Sequence, residues 1–484
     1  MKDIYLSTQT TLIITLVVGA FFIALGYINL KKISDNKESH IVGDRNESVF
    51  SLTTSLSASA LGAWILFGPA SAATWGGIGA VIGYALGTAA PMLFLLNFGP
   101  KIRREFPNGM SLTEFVKKRF GTEILKIILI LILFYLTIFL IAEVTAIAFL
   151  LNLISKTPLW ITSGLTLIIC LLYILRGGFK LSIITDKYQF LIVSCIILFS
   201  IFLILGNLEI NSYELIKKNS TKLASKNYIP NYTAGLTFFI AVAATNLFHQ
   251  GNWQRVFAAK NNVTLKKSLI YSSIISFLIV LWMGYTGLIS FSIDSEIIPD
   301  LAFFKLMLLN DDVLIIVSIL VLALALTLST IDTLINAISS LIIINGKEIN
   351  KFLSGREIKN KSNKLILLLC VIVFVFASKG YSILYLFLFA DLLCCAAVVT
   401  VFHGFFKKKI NTRLSLVSII LGLSSGLLFF PSQNFQTSLL VGNIIPVENF
   451  SPIILSNLLF ISFIVATIVP LLIITIYSLR NSLR

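Results

Sequence analysis

Charge is what this 484-residue chain has least of. Asp, Glu, Lys and Arg make up 12% of it, against 57% hydrophobic residues, where soluble domains carry about 25% charged residues. That scarcity excludes a soluble globular protein of this length. Histidine is nearly absent: His40, His249 and His403 are the three, and they have no metal-ligand spacing. The five cysteines, Cys170, Cys195, Cys370, Cys394 and Cys395, all fall in apolar runs without metal-type spacing, and the adjacent pair points in different directions on a helix. All five read as buried small hydrophobes. Also missing are a Ser/His/Asp arrangement, a phosphate loop and a dinucleotide fingerprint on a strand-turn-helix unit. GGIGAVIG (76–83) is glycine-rich but lies inside an apolar run. Nothing points to an enzyme or an organic cofactor.

What the chain has is apolar runs near 20 residues long, each sufficient to cross a ~30 Å hydrocarbon core. They are continuous rather than alternating, so the spanning structure is helix and not barrel. The fold class expected is an all-α integral membrane protein with about thirteen transmembrane helices. The spans are 8–30, 49–72, 75–99, 123–153, 158–175, 181–206, 233–250, 267–293, 313–345, 365–379, 382–404, 414–430 and 452–478. The first lacks a basic start and a small-residue cleavage site and reads as a retained helix.

The net charge of +16 suggests nucleic acid until its distribution is considered. With the amino terminus outside, 30 of the 38 Lys and Arg fall in the inner segments 31–48, 100–126, 176–187, 251–267, 346–364, 407–413 and the tail. This is the positive-inside bias of a multi-pass protein in the cell membrane, with a cytoplasmic carboxyl terminus and anionic lipid as the partner of its basic charge. No nucleic-acid partner is expected. The inner segment 101–121 is expected to hold a short interfacial helix, started by the capping-box run SLTE (111–114). The outer segment 207–232 is expected to be partly helical, and 346–364 to be a charged loop.

Two spans are interrupted. SLSASALGAWILFGPAS (55–71) contains Gly62, Gly68 and Pro69, and AVAATNLFHQGNWQR (241–255) contains Asn246, His249, Gln250 and Gly251. Gly and Pro weaken helices, and backbone freed at membrane depth persists only where it lines a site. Broken helices five spans apart point to an inverted-repeat transporter. Spans two to six (49–206) would form one repeat and seven to eleven (233–404) the other. One helix (8–30) precedes them and two (414–478) follow, all in a single membrane domain over 1–484. Gly79, Gly83 and Gly87 form a small-residue face for close helix packing. A polar stripe of Ser329, Asp332, Thr333 and Asn336, with Thr330 at its edge, runs along the apolar span 313–345.

With VGDRNES (42–48), GGFKLSIITDKYQF (177–190), NWQRVFAAKN (252–261) and LSTIDTLINAISS (328–340) in this order, the chain resembles the sodium:solute symporters over nearly its whole length. The resemblance implies a LeuT-type core of five plus five helices, with the first and sixth core helices broken. It implies sodium as coupling ion, lying between the unwound part of the first core helix and a hydroxyl pair on the eighth. The pair is Ser329 and Thr330, with backbone carbonyls of Ala58, Leu61 and Leu326 completing the site. Asp186 matches an acid that draws the ion from the inner side. A second ion, as in some members, would have Ser329, Asp332, Thr333 and Asp186 as ligands, and Asp332 alternatively bonds a neighbouring helix. Ala60 stands where proline-type members carry Asp, and Ile65 where sugar-type members carry Gln. GNWQR (251–255) has a local likeness to the urea and polyamine branch.

Ionisable groups inside a membrane cost about 2.5–3.5 kcal/mol each, so each is a functional hypothesis. Glu143 either meets the solute or binds backbone. Asp391, on the tenth core helix, either lines the outer gate or bonds another helix. Asn246, His249 and Gln250 lie at the second break, and Trp64, Phe67 and Trp253 are candidate pocket walls. Arg255 is either a gate ion pair or a lipid and solvent contact. The expected function is sodium-coupled symport of a small organic solute into the cell by alternating access, by a protein acting as a monomer. The alternatives are proton-coupled uptake of urea, polyamine or amino acid on the same fold, and a solute sensor that does not transport.

Overall fold

The computed structural model describes residues 4–30, 37–208, 211–308, 312–346, 355–406, 411–433, 435–441 and 451–482. Among them the chain is helical, with isolated bridges Glu47–Ala259 and Pro431–Ser438 as its β-type pairings. The helices are α1 (Thr8–Leu30), α2 (Lys37–Val42), α3 (Val49–Ala60), α4 (Gly68–Glu105), α5 (Leu112–Ser155), α6 (Leu159–Gly206), α7 (Ser212–Asn219), α8 (Thr221–Ala224) and α9 (Ile229–Phe248). After them come α10 (Gln250–Ala258), α11 (Asn262–Ile293), α12 (Ala302–Met307), α13 (Val313–Ile344), α14 (Gly355–Ala377), α15 (Ile383–His403), α16 (Thr412–Phe429), α17 (Pro452–Leu455) and α18 (Leu458–Ser482). Short 3₁₀ turns cover Ala63–Leu66 and Pro299–Leu301.

Nine described helical segments are long and apolar enough to cross a membrane. The remaining expected spans take other forms. Those over 49–72 and 233–250 are interrupted, at Leu61–Gly62 and at His249. That over 158–175 is the shorter apolar helix Leu159–Ile174, and that over 365–379 falls on the second half of α14, which ends at Ala377. Three elements bend where a glycine has positive φ: α4 at Gly77, α5 at Gly121 and α6 at Gly178. Each bend turns a continuous helical run into two differently directed segments.

Burial separates core from periphery. In α13 and α15, 78% of the most apolar stretch is inside the protein, against 28% in α1, α16 and α18. The outer helices show large apolar side chains such as Val17, Leu191, Phe202 and Leu472. That surface would be untenable in water and suits lipid. Cys195 belongs to it: four cysteines are buried as expected, but Cys195 is exposed, because it lies on the outward face of α6.

The start of α5 follows its sequence. Ser111 and Glu114 form the capping box, and the Ser111 N–H donates to Glu114 Oε2 at 3.1 Å. Helices α7 and α8 form within the polar segment 207–232. Of the expected loop 346–364, residues 347–354 lie outside the described residues, and α14 starts at Gly355.

The tightest helix contact explains the glycine stripe. A Cβ on Gly79 would stand 1.8 Å from the Asn231 carbonyl oxygen, and one on Gly83 would stand 2.0 Å from that of Gly235. α4 and α9 therefore meet backbone to backbone. Gly83→Leu should destabilise the protein by at least the ~1–3 kcal/mol usual for overpacking. Gly206→Ala, where a Cβ meets nothing within 4 Å, should be neutral. Thermal unfolding of the two detergent-purified variants checks this, and equal melting would contradict the packing.

Candidate functional site

The first break begins where α3 ends. At Leu61 the backbone leaves helical space, its N–H closing on the carbonyls of Ser57 and Ala58 at 3.2 and 3.3 Å. The chain re-enters a 3₁₀ turn at Ala63, whose N–H donates to Glu143 Oε2 at 2.8 Å. Glu143 comes from α5 and is fully buried. Its Oε1 has no hydrogen-bond partner among the described residues. Gly62 is required at this contact, since a Cβ there would stand 2.1 Å from Glu143 Oε1. A free N–H inside an apolar bundle costs about 1–3 kcal/mol, so Glu143 is what makes the break tolerable.

The second break is sealed by its own neighbours. His249 caps α10, with Nδ1 accepting the Gly251 N–H at 3.1 Å. Asn252 Nδ2 donates to the Asn246 carbonyl at 2.9 Å, and Trp253 Nε1 to that of Leu247 at 2.7 Å. The polar residues that interrupt the seventh span thus satisfy the backbone they expose.

Between the two breaks lies a cavity of about 40 Å³ lined by Trp64, Glu143, Asn246, His249, Thr330 and Asp391, with Tyr84, Phe139 and Phe387 as further walls. Asp391 Oδ1 accepts from Thr245 Oγ1 at 2.6 Å, joining α15 to α9. Three expected wall residues lie elsewhere. Phe67 is buried against Phe149 and Phe304, with ring centroids 5.9 and 5.0 Å away. Gln250 turns to the Met110 carbonyl at 3.0 Å. Trp253 is wholly buried and holds the break. Both Gln250 and Trp253 are carried off by α10, which sets out beyond His249 in a new direction.

The polar stripe of α13 splits between two surroundings. Thr330 faces the cavity, its hydroxyl donating to the Leu326 carbonyl at 3.1 Å. Ser329 donates to Asp186 Oδ1 at 2.7 Å. Asp186 Oδ2 accepts from Ser55 and, at 2.9 Å, from Arg255 Nη2. The guanidinium also donates to Ser55 Oγ at 2.8 Å, the Gly251 carbonyl at 3.0 Å and Thr333 Oγ1 at 3.3 Å. Arg255 is 1% exposed and Asp186 is fully buried. Arg255 is therefore an internal ion pair and not a lipid or solvent contact. Asp332 accepts from Ser182 at 2.8 Å, Tyr173 at 3.0 Å, Thr185 at 3.3 Å and, at 3.4 Å, from Thr333, which also meets Arg255. Ser329, Thr333, Asp186 and Asp332, expected around a second ion, do cluster. The cation between Asp186 and Thr333 is the Arg255 guanidinium.

Sequence reasoning missed Tyr84, Phe139 and Phe387, aromatics that only the packing brings to the cavity. It left Arg255 open between a gate ion pair and a lipid or solvent contact, and the structure decides for an internal pair. The available signal was that a buried Asp186 needs a countercharge, and that Arg255 follows the break by six residues.

An all-helical bundle with two broken helices around a small polar cavity defines a secondary transporter. The model of the sodium:solute symporter family matches residues 40–422, and the chain belongs to that family. The spermidine transporter DUR31 of Candida albicans is 26% identical over 407 residues, covering 82% of this chain and 75% of that protein. A solved Na+-coupled sialic acid symporter, substrate-bound and outward-open, matches with TM-score 0.70 at 16% identity, over 96% of this chain and 98% of that one. A nucleobase-cation-symport-1 family transporter, closed with bromovinylhydantoin bound, gives TM-score 0.48 at 14% identity, over 90% and 94%. The likeness to the sialic acid symporter shows the LeuT-type fold alone. The chain is a multi-pass membrane transporter of this family and not an enzyme.

Two outcomes follow from the site. Gly62→Ala should lower the melting temperature, and adding Glu143→Ala should restore part of the loss by removing the atom it strikes. Purely additive losses in that double-mutant cycle would exclude the clash. Arg255→Met should destabilise by about 3–5 kcal/mol, because it strands a buried carboxylate. Adding Asp186→Asn should recover much of this in thermal unfolding.

Proposed function

We propose that this chain is a sodium-coupled symporter that carries a small organic amine cation, of the polyamine class, into the cell. The observation that carries the reading is Glu143 at the first helix break. In LeuT-type carriers a half-helix amino terminus offers its N–H groups to an anionic part of the solute. Here a protein carboxylate already takes that place, so an anionic solute meets repulsion. Glu143, whose Oε1 lacks a partner among the described residues, lines a cavity that also holds Asp391 and contains neither Lys nor Arg in its lining. Trp64, Tyr84, Phe139 and Phe387 add ring faces, which attract ammonium groups. The 26% identity to a spermidine transporter supports the same class.

In this reading sodium lies between the first break and α13. Its ligands are the hydroxyls of Ser329 and Thr330 and the carbonyls of Ala58, Leu61 and Leu326. A hydroxyl that donates to Asp186 keeps lone pairs for a cation, so the Ser329 bond of 2.7 Å is compatible with ion binding. Sodium orders the broken helix and raises solute affinity beside it, and by linkage solute raises sodium affinity equally. Trp64, Glu143, Asn246, His249 and Asp391 contact solute. The pair Arg255–Asp186 closes the inner end, joining α3, α6, α10 and α13, and opens as the protein rocks inward. A membrane potential adds ~2.3 kcal/mol per charge per 100 mV. Asp332 bonds no cation among the described residues, and proton coupling through it is the second reading.

The test is solute-induced thermal stabilisation of the purified protein, screened over polyamines, amino acids, urea, sugars and organic acids. Amines should stabilise in sodium and not in choline. Ser329→Ala/Thr330→Ala should abolish the effect, and Glu143→Gln should weaken amine affinity at least tenfold, about 1.4 kcal/mol. Stabilisation by carboxylates or sugars instead would end the amine assignment. Equal stabilisation in choline, kept in the double mutant, would end the sodium assignment and favour protons.

A further inference from the structure

A groove of about 570 Å³ opens on the outer face of the first half-helix, away from the central cavity. It is bounded by Phe50 and Thr54 of α3, Phe190 of α6, and Tyr271 and Ile274 of α11. Phe50 is 69% exposed and Ile274 52%, so this is the apolar, lipid-facing surface of the bundle. The walls are rings and aliphatic carbon, with no charged residue among them. The Thr54 hydroxyl is turned back onto the carbonyls of Phe50 and Ser51 at 3.0 and 3.1 Å, so its proton is already used.

Two lysines flank the groove toward the end of the bundle that is richest in Lys and Arg. On α11, which begins at Asn262, Lys267 precedes Tyr271 and Ile274 by four and seven residues and shares their helix face. On α6, Lys187 precedes Phe190 by three residues and follows Asp186, whose carboxylate accepts from Ser55 of α3. Lys187 is therefore level with the groove. Lys267 is exposed and Lys187 half-buried, and neither is in an ion pair among the described residues.

An apolar trough with unpaired cations beside it matches both halves of an anionic phospholipid. A free anion would use the lysines alone, and a neutral hydrocarbon the groove alone. Lysine stems lie along apolar surface while their ammonium groups reach the headgroup level, where basic residues attract anionic lipid. The groove also backs a working part of the protein. Phe50 and Ser55 are about 140° apart around α3, and Ser55 is bonded to Asp186 and Arg255. An occupant on the Phe50 side holds α3 against that ion pair.

We propose that this groove binds an anionic phospholipid of the leaflet at the Lys- and Arg-rich end. One acyl chain lies along Phe50, Phe190, Tyr271 and Ile274, and the phosphate is held by Lys187 and Lys267. The bound lipid favours the state in which Ser55, Asp186 and Arg255 are joined, whichever solute the central cavity takes.

The test is thermal stabilisation of the delipidated, detergent-purified full-length protein by palmitoyl-oleoyl phosphatidylglycerol. The phosphatidylcholine of the same chains and water-soluble glycerophosphate are the comparisons. Phosphatidylglycerol should raise the melting temperature saturably, phosphatidylcholine much less, and glycerophosphate not at all. Lys187→Gln/Lys267→Gln should raise the half-saturating concentration at least about tenfold, and Ile274→Trp, which fills the groove, should raise it too. Lys267→Gln alone, at an exposed position, replaces the double variant should that fold poorly. Lys217→Gln/Lys218→Gln should change nothing, since α7 meets α11 at Tyr285, about four turns beyond Tyr271. Equal stabilisation by phosphatidylcholine, or stabilisation by glycerophosphate alone, would overturn the proposal. So would a half-saturating concentration unmoved by the groove lysines or by Ile274→Trp, or moved equally by the α7 lysines.

Discussion

A helix interrupted inside an apolar bundle exposes N–H and carbonyl groups that no water is there to satisfy, and the rest of this structure follows from how they are met. Glu143 reaches from α5 to the N–H of Ala63 across the first break. His249, Asn252 and Trp253 cover the second from within its own sequence. Each break is therefore tied to a specific side chain, and the space between them becomes a polar cavity at the protein's centre. The requirement reaches down to Gly62, where any side chain would meet the carboxylate that makes the break tolerable.

The same economy governs charge. Asp186 and Arg255 are both buried, and each is bonded to the other and to hydroxyls around it. Isolated, either would be prohibitive, but paired they tie four helical elements together at one end of the bundle. Such a latch holds strongly as long as both partners stay. Ser329 links this latch to the neighbourhood of Thr330 and the cavity.

The fold leaves solute chemistry open, because function lives in the residues of a site and not in the architecture that carries them. What narrows it is local. The amine proposal rests on a carboxylate at a half-helix amino terminus, a second carboxylate on α15 and a set of ring faces. The tight contact of α4 with α9, made through Gly79 and Gly83, brings Tyr84 on α4 against Phe238 on α9, so the packing stripe also positions one wall of the central cavity.

The sequence by itself determined the membrane class, the ordering of the apolar runs, the two breaks, the capping box at Ser111 and the glycine stripe. Each of these is a local property, carried by the hydropathy, spacing or backbone preference of neighbouring residues. It also singled out Glu143, Asp186, Ser329, Thr330, Asp332 and Asp391, because ionisable and hydroxyl groups stand out in apolar runs. Only the tertiary structure decided what these groups meet. Phe67, Gln250 and Trp253 read as pocket walls, yet they face other helices, since the direction of a chain after a break is not encoded in residue types at the break. Cys195 points outward although its neighbours along the sequence are as apolar as those of the buried cysteines. Arg255 is 69 residues from Asp186 in sequence and 2.9 Å from it in space. Pairing at that range is set by how α6, α10 and α13 pack, which no periodicity within one helix records.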